Sequence, residues 1–190
     1  MKLLSIALAG AFALASMVLP AAAAPDDFLT IQLKDGPVVV QLMPEVAPKH
    51  VAQIKALAAK GEYDNVVFHR VIEGFMAQTG DVQFGKAGSS SFNPQRAGMG
   101  GSSLPDIPAE FSKVPFERGV VGMARSQDPN SANSQFFIMF TRYPSLDNQY
   151  TVVGKVVSGM EHVDKIKRGQ GGNGEVTNPD KMIKVSVGKQ

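Results

Sequence analysis

Hydrophobic and polar positions alternate along FLTIQL (28–33) and VVVQLM (38–43), on either side of Lys34-Asp35-Gly36-Pro37. Period-two alternation marks strands with one buried face, and Asp-Gly supplies turn chemistry, so the segment predicts a hairpin. At Glu45 the period changes. Val46, Val51, Ile54, Leu57 and Ala58 recur at helical spacing, with Pro48 in the first turn and Gly61 past the end, which predicts an amphipathic helix over 45–60. The β-branched and aromatic run 66–72 predicts another strand, as do GVVGMAR (119–125), SQFFIMF (134–140), YTVVGKVV (150–157) and KMIKVSV (181–187). A second short helix is predicted over 160–167, closed by Gly169. Residues 84–108, rich in Gly, Ser, Pro and Asn, keep neither period and predict a long loop, a feature that is usually functional or mobile in a compact domain. Many strands, two separated helices and no βαβ rhythm argue for an antiparallel barrel rather than a doubly wound sheet.

The N-terminus changes the domain picture. Lys2 precedes an apolar, alanine-rich run ending in small residues before Pro25, the order of a secretory signal peptide, and Ala21 and Ala23 fit the small-x-small cleavage rule. The expectation is a signal peptide over 1–23 and one mature domain over 24–190, exported to the periplasm and without stable membrane association after cleavage. An uncleaved anchor is the alternative, since the apolar run is near the roughly 17-residue lower limit for spanning a bilayer. The sequence contains no cysteine, so disulfides and thiol chemistry are excluded. Loss of Lys2 with the signal lowers the formal charge from +2 to +1, which offers no electrostatic case for nucleic acid or an anionic membrane.

Several chemistries can be set aside. Gly80-x-x-x-x-Gly85-Lys86 has most of a P-loop's spacing, but Ala87 follows where a Mg²⁺-binding hydroxyl is required, and no apolar-periodic helix opens there. His50, His69 and His162 have no metal-ligand spacing, and Ser134 is not in a nucleophile elbow. What remains unusual is VVFHRVIEGFMAQTGD (66–81), in which a guanidinium, Arg70, interrupts a strand. Period two puts Arg70 on the same face as Phe68 and Ile72, Met76 with Gln78, and Gln135 with Phe137; Phe75 falls on the wrong side unless the chain bulges near Gly74. The plain reading is a core with polar groups capping its rim.

The alternative is chemistry that makes no covalent bond. Rotation about an X-Pro bond has a barrier near ~20 kcal/mol and an uncatalysed time of tens to hundreds of seconds. Reaching milliseconds takes roughly 10⁴-fold, or about 5.5 kcal/mol. An apolar pocket for the proline ring, a guanidinium donating to the prolyl nitrogen and an amide holding the preceding carbonyl would supply this jointly.

FHRVIEGFMAQTGD and GMARSQDPNSANSQFFI resemble, in order, the two long motif blocks of the cyclophilin family of peptidyl-prolyl cis-trans isomerases. The resemblance covers nearly the whole mature chain. It implies a mainly β fold, a closed eight-stranded antiparallel barrel capped by two α-helices, with a peptide groove on the outer face. It also implies catalysis by Arg70 with Gln78, and substrate binding by Phe75, Met76, Gly98, Ala124, Arg125, Gln135, Phe137, Leu146 and Tyr150, with His69 structural. The expected activity is isomerisation of X-Pro bonds, assisting the folding of exported proteins. The partners are proline-containing polypeptides, the expected state is a monomer, and no cofactor or metal is implied. A non-catalytic proline-peptide binder or holdase is the alternative. Thr79 departs from the family's Gly-Gly-Asp, and Ser145 stands where many eukaryotic members have tryptophan, which implies weak cyclosporin binding.

Overall fold

The computed structural model describes residues 27–188, so the expected signal peptide lies outside the described residues. Eight strands form one antiparallel sheet: β1 (Phe28–Leu33), β2 (Gly36–Leu42), β3 (Arg70–Ile72), β4 (Met76–Thr79), β5 (Val120–Met123), β6 (Phe136–Met139), β7 (Val152–Ser158) and β8 (Lys184–Val187). Two α-helices, α1 (Pro48–Ala59) and α2 (Met160–Val163), and a 3₁₀ turn over Pro144–Leu146 complete the fold.

The strand order is β3-β4-β6-β5-β7-β2-β1-β8. The closed barrel of the sequence reading is therefore corrected to an open one, because the ladder stops at β3 and β8. The reason lies in residues 65–69. Asn65 takes a left-handed φ of 63°, and the chain after it meets the 174–182 segment through single bridges, Val67 with Lys181 and Arg70 with Glu175, rather than through a continuous ladder. For the same reason the expected strand over 66–72 shrinks to its last three residues. Phe68 does not share the face of Arg70; it is fully buried in the main core.

Inward-facing positions from all eight strands make that core, including Leu29, Val38, Val71, Ala77, Val121, Phe136, Val153 and Val185. Helix α1 covers it with Val51, Ile54 and Leu57, the residues whose spacing predicts the helix. No side chain of α1 caps its own N-terminus. Glu110 does so from a distant loop, accepting the backbone N–H groups of Lys49 and His50 and the His50 ring Nδ1 at 2.7 Å. A carboxylate at a helix N-terminus satisfies orphan donors and complements the dipole. Burial opposes ionisation of Glu110, but these hydrogen bonds hold its carboxyl below the usual range. Burial in turn lowers the pKa of His50, against the pull of Glu110, and the neutral ring with its proton on Nδ1 fits an Nε2 that has no partner among the described residues.

Candidate active site

The outer face of β3, β4, β6 and β5 carries a cross-strand row. Arg70 stands opposite Gln78, Gln78 opposite Phe137, and Phe137 opposite Gly122. One row along, Ile72 stands opposite Met76 and Met76 opposite Met139. Phe75 joins them without a bulge: it sits in the Glu73-Gly74-Phe75 turn between β3 and β4, its N–H donating to Ile72 O at 3.0 Å. Gly122 is required by packing. A Cβ there would come within 2.5 Å of Phe116 and 2.6 Å of Phe137, whose rings stack at 5.8 Å between centroids. The missing side chain lets Phe137 lie over the sheet as a floor.

Above this floor is a cavity of about 180 Å³ lined by Arg70, Phe75, Met76, Gln78, Ala124, Arg125, Phe137, Leu146 and Tyr150. Those are nine of the eleven residues expected from the sequence. The other two, Gln135 and Gly98, line an adjoining cavity of about 310 Å³ that shares Gln78, Ala124 and Arg125. Tyr150 makes edge contacts with Phe116 and Phe137. The Arg125 guanidinium covers the Tyr150 ring at 4.5 Å and is fastened to the Gln149 carbonyl at 2.9 Å, so its side chain forms a wall of the cavity.

A hydrogen-bond relay holds Arg70. Its Nε donates to Asn173 O at 2.9 Å and its Nη1 to Gln78 Oε1 at 3.2 Å. Gln78 Nε2 donates to Gln135 Oε1 at 3.0 Å, and Gln135 Nε2 to the carbonyls of Gly98 and Gly100 at 3.0 and 2.7 Å. Those two residues are clamped by Asp81, a fully buried carboxylate that accepts the N–H groups of Gly98, Gly100, Gln83 and Phe84 between 2.7 and 3.0 Å. A buried charge is tolerated when it is hydrogen-bonded this completely. Burial lowers the pKa of Arg70 and nearby Tyr150 opposes this; a guanidinium stays protonated at neutral pH in any case. Among the described residues, Nη2 of Arg70 donates to no protein group.

His69 lies beneath this relay with its ring against the backbone of Gly98; a Cβ on Gly98 would meet it at 2.8 Å. Burial pushes the imidazole down to about 4, outweighing the attraction of Asp81, with Arg70 adding to the depression. The ring is therefore neutral at physiological pH. Thr79 does not itself take the left-handed conformation of the local turn. Gly80 supplies the left-handed φ of 89°, while Thr79 continues β4 and donates Oγ1–H to Val67 O at 2.9 Å.

Asn173, Asp81 and Gly100 are parts of the site that sequence reasoning missed. Asn173 contributes through its backbone carbonyl, which carries no side-chain signal. Asp81 is visible in the motif, but nothing in the spacing reveals that it clamps a loop ending at Gly100.

The eight-stranded antiparallel sheet with its two helices is a cyclophilin-like fold, and the comparisons with known proteins agree. The model of the family described as cyclophilin type peptidyl-prolyl cis-trans isomerase/CLD matches residues 28–187. A probable peptidyl-prolyl cis-trans isomerase of Brucella suis is 63% identical over 167 residues, covering 87% of this chain and 85% of its own. Peptidyl-prolyl cis-trans isomerase-like 3 of Gallus gallus is 39% identical over 141 residues, covering 74% of this chain and 81% of its own. A crystal structure of a Cryptosporidium parvum cyclophilin type isomerase, in the presence of the dipeptide Ala-Pro, superposes with a TM-score of 0.73 at 26% identity, covering 86% of this chain and 99% of that one. A cyclophilin of Hirschia baltica gives a TM-score of 0.72 at 26% identity, covering 87% of this chain and 75% of that one. The chain belongs to the cyclophilin-type peptidyl-prolyl cis-trans isomerases. Its activity is rotation about the peptide bond that precedes proline.

Proposed function

We propose that the 180 Å³ cavity receives the proline ring, on a floor of Phe137 and Met76 with Phe75, Leu146 and Tyr150 around it, and that Arg70 is the electrostatic catalyst. The observation that carries this reading is the state of the guanidinium. Nε and one N–H of Nη1 are fastened to Asn173 and Gln78, which leaves three of the five N–H groups, the second on Nη1 and both on Nη2, without a protein acceptor among the described residues, on a guanidinium that lines the cavity. As the amide twists, the prolyl nitrogen regains its lone pair and becomes an acceptor, so a donor fixed there stabilises the twisted state more than either planar one. Gln78 orients Arg70, since its own amide N–H is directed to Gln135. Gln135, Ala124 and Arg125, with Gly98 beyond them, line the path of the flanking peptide. A charge-assisted hydrogen bond is worth about 1.5–3 kcal/mol, so Arg70 contributes part of the acceleration and the pocket's orientation of the substrate the rest.

The test is exchange NMR or a protease-coupled assay on an Ala-Pro peptide. Arg70→Ala should lower kcat/KM by roughly 10- to 150-fold while the fold is kept. Arg70→Lys should fail to restore it, because an ammonium is a single point charge on a flexible stem and lacks the planar fork that reaches Asn173, Gln78 and the cavity from separate nitrogens. Equal activity in wild type and Arg70→Ala would remove the arginine from the mechanism.

The reading extends to clients. The enzyme acts as a monomer on X-Pro bonds of polypeptides exported to the periplasm, a reading supported by the signal-like order of the N-terminus and by the slowness of proline isomerisation in folding. N-terminal sequencing of the protein from a periplasmic fraction should begin at or next to Ala24. Recovery of an intact Met1 chain from the membrane fraction would replace export with anchoring.

A further inference from the structure

Arg70 and Gln78 also border a third, larger cavity, about 410 Å³. It lies between the 92–99 loop and the 173–179 segment. Phe92, Pro94, Met99, Val176 and Pro179 give it an apolar wall, Gln78, Gln95 and Asn173 add neutral polar groups, and His69 also lines it. His69 is 8% exposed and, among the described residues, neither ring nitrogen has a hydrogen-bond partner. The charged side chains lining the cavity are Arg70 and Glu175, which cancel. Such a lining favours an uncharged occupant.

The walls are built rather than loose. The 92–99 loop is held by the Asp81 clamp at Gly98, by Asn93 N–H donating to Phe84 O at 2.9 Å, and by the Arg96 guanidinium over the Phe84 ring at 3.8 Å. One residue of this ordered loop nevertheless presents its apolar side chain to solvent. Met99 is 77% exposed, and it lines both this cavity and the one beside Gln135. An unbranched, polarizable thioether at such a junction can mould itself to what binds there.

We infer that this cavity is a second side-chain subsite for the same polypeptide substrate, selecting a large uncharged apolar or aromatic residue close to the proline. The inference rests on the proline-pocket reading and is argued from continuity with it, since Arg70 and Gln78 line both cavities. In extended chain, side chains on one face recur about every 6.6 Å, so a residue reaching past a single guanidinium lies within about two positions of the proline.

The test uses Ala-Pro peptides in which phenylalanine replaces alanine at each of the two positions before and the two after proline, with leucine, lysine and glutamate at the best position. The quantity read is the kcat/KM ratio of each peptide to its alanine parent. One position should give a ratio of fivefold or more for phenylalanine and leucine and near one for lysine and glutamate. Met99→Ala, a change at the surface, should reduce that ratio at least twofold, and Ala97→Phe, which fills the cavity, should bring it to one. Ratios near one at every position, a preference for lysine or glutamate, or a phenylalanine preference that persists in both variants would overturn the subsite. If Ala97→Phe does not fold, Met99→Ala decides alone. Activity of Arg70→Ala on the alanine peptide tests the proline pocket separately, because that measurement is independent of these ratios.

Discussion

On its inner face the sheet packs Ile31, Val38, Phe136 and Ile138 among side chains from every strand; on its outer face Met76, Phe137, Met139 and Val152 gather with Phe116 and Leu146 into a smaller cluster. The same strands supply both, by alternation. The difference is what covers them. Helix α1 closes the inner cluster, whereas the outer one ends in partly buried Phe75, Ala124 and Tyr150 around a 180 Å³ opening with an arginine on its edge. An apolar cluster that the chain leaves uncovered beside one oriented polar group is how a small ligand site is built. Core chemistry is reused as the floor of that cavity, and polar residues mark where the chain stops burying itself.

Two neighbouring residues test that contrast most strongly. Phe136 faces inward, 1% exposed and edge-on to Tyr63 at 5.6 Å, while Phe137 faces outward. Phe136→Ala should cost about 3–5 kcal/mol of stability in denaturant titrations. Phe137→Ala should cost less, because its site already opens to solvent, yet lose more kcat/KM per folded molecule. The distinction between the faces breaks down if Phe137→Ala destabilises as much as Phe136→Ala and spares catalysis.

The next effect is a pH dependence. His69 is neutral in the fold with its pKa pushed down to about 4, against about 6.5 in the unfolded chain. Below 6.5 the unfolded state takes up a proton that the folded state refuses, so stability declines as pH falls from 6.5 to 4 and levels off below. The size is about 3 kcal/mol for this residue. His50, lowered by burial, adds in the same direction. Comparison of wild type with His69→Gln between pH 7 and 4 should show the shallower decline in the variant. Identical pH profiles would mean that His69 is free to protonate in the folded state.

A change at the boundary between the clusters should be smaller. Gly122→Ala puts a methyl where the Phe116 and Phe137 rings already meet, and overpacking of this kind costs about 1–3 kcal/mol. Because Phe137 must move, KM for a proline peptide should rise. A crystal structure of the variant with Phe137 unmoved and KM unchanged would remove Gly122 from the construction of the pocket.

The outer row was legible in the sequence wherever the backbone is regular. Met76 with Gln78, and Gln135 with Phe137, follow from period two alone, and the motifs bring in Arg70, Leu146 and Tyr150. Prediction failed where the backbone leaves the ladder. Phe68 was placed beside Arg70 by counting residues, but the strand begins only at Arg70, and Phe68 turns inward. Closure of the barrel failed for the same reason, since single bridges at 67 and 70 follow from loop paths rather than residue types. The Asn173 carbonyl reaches Arg70 across 103 positions, and any residue there would offer the same atom. Side-chain patterns therefore identify the floor and the guanidinium, while the backbone contact that holds the guanidinium requires the fold.

Thr79 is the position where the motif itself is altered, and there the expected effect is smallest. Its side chain is buried on the inner face and its hydroxyl closes on Val67 O, so it serves stability on the face away from the pocket. Thr79→Gly restores the usual family residue, removes one hydrogen bond and frees the backbone in a strand, at a cost of about 1–2 kcal/mol together. Gly80 already supplies the left-handed turn, so nothing that positions Gln78 changes. Stability should fall by that amount while kcat/KM on an Ala-Pro peptide stays within twofold of wild type. A larger change in kcat/KM would show that the inner face sets the geometry of the outer one at Gln78, and the two faces would then have to be treated as a single coupled unit.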